Sequence, residues 1–341
     1  MMHEVLFYKS VMDHLSYQDQ LQGKIAKIKQ DFEVYRPPSL EVFESQPSHY
    51  RMRAEFRMWH EGDDLNYVMF NQESKERYSV NEFPAASKVI NALMPLVRDY
   101  VKVDLVLRKR LFQVEFLSST QQEVLITLLY HRPLDDVWEA QCRELRNYLR
   151  AEGYHVDIIG RARNQKRVLD RDFVVEKFSL QGREIIYQQV ENSFTQPNAG
   201  VALKMLEWVR ECSLDVEGDL LELYCGNANF SIALAPCYRK VLATEVSKSS
   251  VYSAQWNIEK NHVTNLKVLR LSAEELTQAI NRERSFRRLE QSGVELDQYD
   301  CKTVLVDPPR AGVDEETLRM LQQYQTIFYI CLLYTSDAAD D

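Results

Sequence analysis

No apolar run in the chain approaches the roughly 20 residues that a membrane-spanning helix needs. The first fourteen residues, MMHEVLFYKSVMDH, mix acidic and basic side chains without a secretory pattern. The expected location is therefore the cytoplasm. The six cysteines, at 142, 212, 225, 237, 301 and 331, include no Cys-x-x-Cys pair. Their scatter argues against a zinc site, an iron–sulfur cluster and a disulfide framework. Positive charge is in deficit: 42 Lys and Arg stand against 51 Asp and Glu, a net charge of −9. Any contact with nucleic acid must then come from a local basic patch, not from the whole surface.

What remains is an ordinary globular balance, 45% hydrophobic and 27% charged over 341 residues, enough for two domains. The most informative stretch is Asp219–Phe230, DLLELYCGNANF. An apolar run enters a turn containing Gly226, and a helical pattern follows from about Asn229. That is the strand, turn and helix that open a nucleotide-binding α/β sheet. The next apolar run, KVLAT at 240–244, ends in Glu245, about 20 residues past the turn, where an acid can meet ribose hydroxyls. A buried βαβ unit with a solvated acid would show the same pattern. A second signal is Asp307-Pro308-Pro309-Arg310, directly after the apolar run Thr303–Val306. Two prolines cannot continue a ladder, so they make a stiff loop at the sheet rim where ligands of α/β folds bind.

From Asp219 onward apolar strands alternate with helical patterns, which predicts a mostly parallel sheet with helices on both faces. The amino-terminal half reads differently. Residues 2–34 have helical spacing, and Arg36-Pro37-Pro38-Ser39 ends them. RMRAEFRMW at 51–59 alternates, with Arg51, Arg53, Glu55 and Arg57 on one face. Such a cationic face suits phosphate or base contact, although a solvated outer face is the commoner fate. Strands are expected at 111–117, 124–130 and 154–159, and helices at 83–101 and 135–152. Basic residues recur at 108–110, at 131–132, along the second helix (Arg143, Arg146, Arg150) and at 161–167. Phe112 beside these cations could stack a base, but from pattern alone it reads as core. Residues 185–198 read as a polar bridge, with Asn198 capping a helix over 199–212.

These stretches together resemble the bacterial tRNA (uracil-5-)-methyltransferases, over residues 1–330. The matching segments are SHYRMRAEFR (48–57), LYHRPLDD (129–136), YQQVENSFTQPN (187–198), DLLELYCGNANF (219–230), VLATEVSK (241–248) and VDPPRAGVD (306–314). The resemblance implies an α/β fold: an α+β RNA-binding domain at 1–182, then an incomplete Rossmann-like methyltransferase sheet at 183–330. It implies S-adenosyl-L-methionine as cofactor, contacted by Gln196, Tyr224, Asn229, Glu245 and Asp307. It implies tRNA as partner, with the T-loop uridine flipped from its stack and handled by Arg57, Phe112, His131 and Arg310. A monomer is expected. Other RNAs with a T-loop are conceivable substrates.

Two departures stand out. Ala228 takes a place where the family prefers glycine, so slightly weakened cofactor binding is expected. The family also continues Ser-Cys-Asn-Pro after Ile330, with the cysteine adding to uracil C6 so that C5 can attack the methyl group, and a later carboxylate removing the C5 proton. This chain reads Cys331-Leu332 instead. Leu332 occupies the nucleophile position, and residues 331–341 resemble translated adapter sequence. The chain as given is therefore expected to be an inactive fragment. The rival readings are an rRNA uracil-5-methyltransferase, whose iron–sulfur cysteines or added RNA domain are not visible, and a non-catalytic tRNA-binding or tRNA-folding protein.

Overall fold

The computed structural model describes residues 14–71 and 74–331. Helix α1 spans His14–Phe32; the earlier part of the helix expected from residue 2 lies outside the described residues. A seven-stranded sheet follows, built from β1 (Arg53–Glu61), β2 (Asp64–Phe70), β3 (Arg77–Ser79), β4 (Leu111–Ser118), β5 (Glu123–Tyr130), β6 (His155–Ala162) and β7 (Gln165–Val168), in the order β3-β2-β1-β4-β5-β6-β7. Its pairings are antiparallel except β5 with β6, which run parallel. A parallel pair needs a crossover, and the helix Asp136–Ala151 supplies it.

Helices α2 (Lys88–Val103) and α3 (Asp136–Ala151) cover one face of this sheet. The period-two pattern decides which side chains go under them. Phe56, Met58, Tyr67, Val114, Phe116, Ile126, Leu128 and Ile158 point back, and pack with Leu93, Met94, Val97, Trp138, Leu145 and Leu149 of the helices. The packing is close enough to require Gly160: a Cβ there would sit 2.3 Å from the Trp138 ring. α2 begins at Lys88, later than position 83, because Ser87 caps it and accepts from the Ile90 N–H.

The front face carries Arg53, Glu55, Arg57 and Trp59 of β1. One end of it is covered by a hairpin, β8 (Phe173–Leu180) and β9 (Arg183–Val190). Val174 of β8 packs there on Leu117, Leu125 and Ile159. The hairpin corrects the sequence reading of 185–198 as a polar bridge, and its first strand, 173–180, was assigned no structure from the sequence. The expected boundary between residues 182 and 183 falls at its tip.

The second sheet comprises β10 (Asp219–Leu223), β11 (Val241–Thr244), β12 (Leu266–Leu269), β13 (Cys301–Val306) and β14 (Thr326–Tyr329), all parallel in the order β12-β11-β10-β13-β14. Helix α4 (Ala199–Cys212) packs on one side of it, and α5 (Asn229–Leu234) and α6 (Lys248–Lys260) follow β10 and β11. The chain leaves β10 in one direction to β11 and later returns on its other side as β13. That reversal opens a crevice at the carboxyl ends of β10 and β13, where open α/β sheets bind ligands. No described helix is long and apolar enough to cross a membrane.

Candidate methyl-donor cleft and nucleic-acid face

The β10–β13 crevice is a narrow cleft whose floor is the turn after β10 and whose rim includes Phe194 and Gln196. Tyr224 and Asn229 reach it from the turn after β10, Asp307 from the end of β13, and Gln196 from the loop before α4. The structure thus gathers four of the five expected cofactor residues around one cleft. The fifth, Glu245, holds the turn itself: it accepts from the Gly226 N–H at 3.0 Å and from the Ser247 N–H at 2.7 Å. A carboxylate has about four acceptor positions, so capacity remains for hydroxyls of a bound ribose.

The turn is tightly coiled. Tyr224, Gly226 and Ala228 all have left-handed backbones, with φ of 59°, 54° and 64°. Only glycine adopts this conformation without strain, so Ala228 is a strained residue at the start of α5. The hairpin locks the turn from outside. The Tyr187 hydroxyl donates to the Asn229 carbonyl at 2.7 Å, the Asn227 amide to the Gln188 carbonyl at 3.1 Å, and the Asn257 amide of α6 to the Asn227 carbonyl at 2.9 Å. β9 therefore belongs to the cleft's support, which a linear reading of 185–198 as a bridge misses.

The cleft is acidic. Burial pushes the Asp307 carboxyl up to about 6, although the Gln196 amide hydrogen-bonds it and pulls the other way. Glu222, buried in β10 and lining the cleft, is pushed up to about 8 by burial despite a hydrogen bond from the Ser231 hydroxyl. Sequence reasoning passed over Glu222; its signal was an acid inside the otherwise apolar DLLEL strand. Glu176 of β8 also lines the cleft, and burial raises it too. Glu222 and Glu176 are fully buried, whereas Asp307 is only partly buried, and a partly buried carboxylate favours a ligand carrying positive charge, whose arrival offsets its desolvation. Of the described cysteines, Cys225 lines the cleft, and burial pushes its thiol well above the ordinary range. A thiol held protonated is a poor nucleophile.

Three of the four RNA residues expected from the sequence, Arg57, Phe112 and His131, gather on the first sheet. The Arg57 guanidinium lies 4.4 Å from the Phe112 ring centre, and Phe112 stacks on His131 at 4.0 Å and 25°. Pattern alone placed Phe112 in the core. The structure overturns that: Phe112 is the extra residue of a β-bulge, between Leu111 opposite Tyr130 and Gln113 opposite Leu129, and a bulge re-aims a side chain. Arg310 stands elsewhere, exposed on the loop after Asp307-Pro308-Pro309. Leu332 lies outside the described residues.

Other basic clusters do not serve this face. Arg143 pairs with Glu139, Arg146 with Asp170, Arg150 with Asp157, Arg161 with Glu191, Lys166 with Asp172, and Arg167 with both Asp136 and Glu139. Their charge is spent inside the protein, contrary to the expectation that these segments add to an RNA surface. Arg108 and Arg132 instead donate to backbone carbonyls, of Gly62 at 2.9 Å and Val106 at 2.7 Å, and keep their charge.

The two regions adjoin. Arg53, on the front face, donates to the Ser193 carbonyl at 2.8 Å, and Met52 N–H to the Pro197 carbonyl at 2.8 Å. Met52, Phe194, Thr195 and Gln196 all line the cleft.

Comparison with known proteins places the chain among relatives. The model of the family described as tRNA (Uracil-5-)-methyltransferase matches residues 16–335. The chain is 54% identical over 314 residues to the tRNA/tmRNA (uracil-C(5))-methyltransferase of Vibrio vulnificus strain YJ016, covering 92% of this chain and 85% of that protein. It is 54% identical over 321 residues to the protein of the same name from Photobacterium profundum, covering 94% and 87%. Among solved structures it is similar to Pyrococcus abyssi tRNA (uracil-54, C5)-methyltransferase in complex with S-adenosyl-L-homocysteine, with a TM-score of 0.67, 20% identity, and 93% and 74% coverage. At that identity the likeness is one of fold.

Proposed function

The chain belongs to the tRNA (uracil-5-)-methyltransferase family, and from that premise we propose that its fold serves S-adenosyl-L-methionine-dependent methylation of uracil C5 in tRNA, at the T-loop. The observation that carries this reading is the convergence of Gln196, Tyr224, Asn229 and Asp307 on one acidic cleft, beside a turn tied to Glu245. The methyl donor is a nucleoside with a ribose diol and two positive charges. The residues present fit it: a strand-terminal carboxylate for the diol, and Asp307 for the cationic end. When bound, the donor supplies an electrophilic methyl group.

The protein's part is to position and to desolvate. Glu245 orients the ribose while holding the turn. Gln196 fixes the Asp307 carboxylate. Arg57, Phe112 and His131 take the RNA, and Arg310 approaches it from the cleft rim. Residues 1–182 act in this proposal as the RNA-binding unit and 183–330 as the donor unit, working as a cytoplasmic monomer.

The 341-residue chain itself we read as binding without turnover. Leu332 cannot add to uracil C6, and Cys225 is held protonated by burial. The test is transfer of labelled methyl groups to tRNA that lacks 5-methyluridine. A chimera of residues 1–330 followed by the corresponding carboxyl-terminal segment of the Vibrio vulnificus relative is expected to label uracil C5, and the 341-residue chain is not. No label from a chimera that binds S-adenosyl-L-homocysteine overturns the enzymatic reading. Label from the 341-residue chain overturns the inactivity.

A further inference from the structure

The front of the seven-stranded sheet carries a second cation–aromatic pair. The Arg77 guanidinium of β3 lies 3.9 Å from the centre of the Trp59 ring of β1. Trp59 is two residues beyond Arg57 on the same strand, so both side chains leave the same face. The separation along the strand is roughly 7 Å, about two base-stacking repeats of a nucleic-acid strand. Trp59 remains 41% exposed, and Phe70 on the neighbouring strand 46%.

We propose that Trp59 and Arg77 form a second stacking platform, which receives an unpaired RNA base next to the nucleotide handled by Arg57, Phe112 and His131. The proposal rests on the RNA reading of this face and extends it.

Three observations point to a nucleic-acid occupant. First, the pair offers two surfaces that stack on any base, an indole ring and a planar guanidinium. Second, the charge is available. Among the described residues no carboxylate lies within ion-pair distance of Arg57 or Arg77, while Arg146, Arg150 and Arg167 of the same domain are paired with acids. Asp64, in the strand that follows the β1–β2 turn, is itself neutralised by Lys102 at 2.6 Å. Third, the platform continues an established line of cations and rings. Arg57 and Trp59 leave the same face of β1, and Arg110 shares a shallow hollow with Phe112 and His131. A protein partner would meet a surface with two stacked cations and few aliphatic side chains, a poor apolar core for an interface.

The test uses the full chain and unmodified tRNA, with a T-arm hairpin as the second RNA. Trp59→Ala and Arg77→Ala are each expected to weaken RNA binding by roughly 5–50-fold, within the range of single-base stacking. Trp59→Phe should stay within about 3-fold, and Arg77→Ala should lower the slope of log affinity against log salt by about 1. S-adenosyl-L-homocysteine binding and the melting temperature should not change, since both side chains are exposed. Wild-type affinity for RNA in Trp59→Ala and Arg77→Ala, together with a weakened Phe112→Ala, overturns this proposal and leaves the RNA reading standing. Wild-type affinity in all three variants overturns the RNA reading of the face as well.

Discussion

The Gly226 N–H donates to the Glu245 carboxylate at 3.0 Å, so the acid at the end of β11 fastens the turn at the end of β10. One side chain thereby ties the turn after β10 to the start of α6, where it also accepts from the Ser247 N–H. The same turn is gripped from its other side by the Tyr187 hydroxyl on the Asn229 carbonyl at 2.7 Å. A cleft held from both sides in this way is organised before a ligand arrives, which lowers the ordering cost of binding.

Ala228 is the strained member of that turn, fully buried with φ of 64°. Removing the methyl group relieves a left-handed alanine, a conformation costing roughly 1–2 kcal/mol. Part of the gain is returned because glycine is freer in the unfolded chain. Ala228→Gly is expected to raise stability by up to about 1 kcal/mol and to leave donor binding equal or tighter. Urea unfolding with and without S-adenosyl-L-homocysteine checks both; a lower midpoint counts against the strain.

Asp307 should make donor binding depend on pH. Its folded value, about 6, is raised from the ordinary 3.8 by burial. The folded state therefore holds this proton more tightly than the unfolded chain, and ionisation between about 4 and 6 destabilises the ligand-free protein. A cationic donor prefers the ionised form, so its affinity is expected to rise from pH 5 to pH 7 and then level off through this group. Asp307→Asn should bind weakly, with a flatter profile over that range. Calorimetric titrations at pH 5, 6 and 7 read the difference; parallel profiles for the two proteins would refute the role.

Phe112 sits on its bulge between Arg57 and His131, half-exposed and outside the core. Phe112→Ala is accordingly expected to weaken tRNA binding by roughly 5–100-fold, the range for one stacked base, with little loss of thermal stability. A drop of several degrees in melting temperature would instead mark Phe112 as a packing residue.

The cleft was legible in the sequence because its signals are local. A glycine turn, an acid closing the next strand and two prolines after an apolar strand each announce themselves within a few residues, and the structure brings them together. The arginine clusters misled because their partners are distant: Arg161 meets Glu191, and Arg146 meets Asp170. Linear spacing cannot reveal such neutralisation. β8 escaped notice because its inward set is Val174, Glu176, Phe178 and Leu180. The buried Glu176, bonded by Thr120 N–H and hydroxyl, hides the apolar alternation. Phe112 was misassigned for a related reason. A bulge shifts the two-residue period by one, and nothing in LFQVEFL marks where it falls.

Calorimetric titration of the purified chain with S-adenosyl-L-homocysteine, alongside Glu245→Ala, tests the central claim most directly. One molecule is expected to bind per wild-type chain. Glu245→Ala should bind about 10–100-fold more weakly, as the loss of hydrogen bonds to a charged group implies, while still melting cooperatively. No binding by the wild-type chain, or equal binding by a folded Glu245→Ala protein, would contradict the assignment of the β10–β13 crevice as the methyl-donor site.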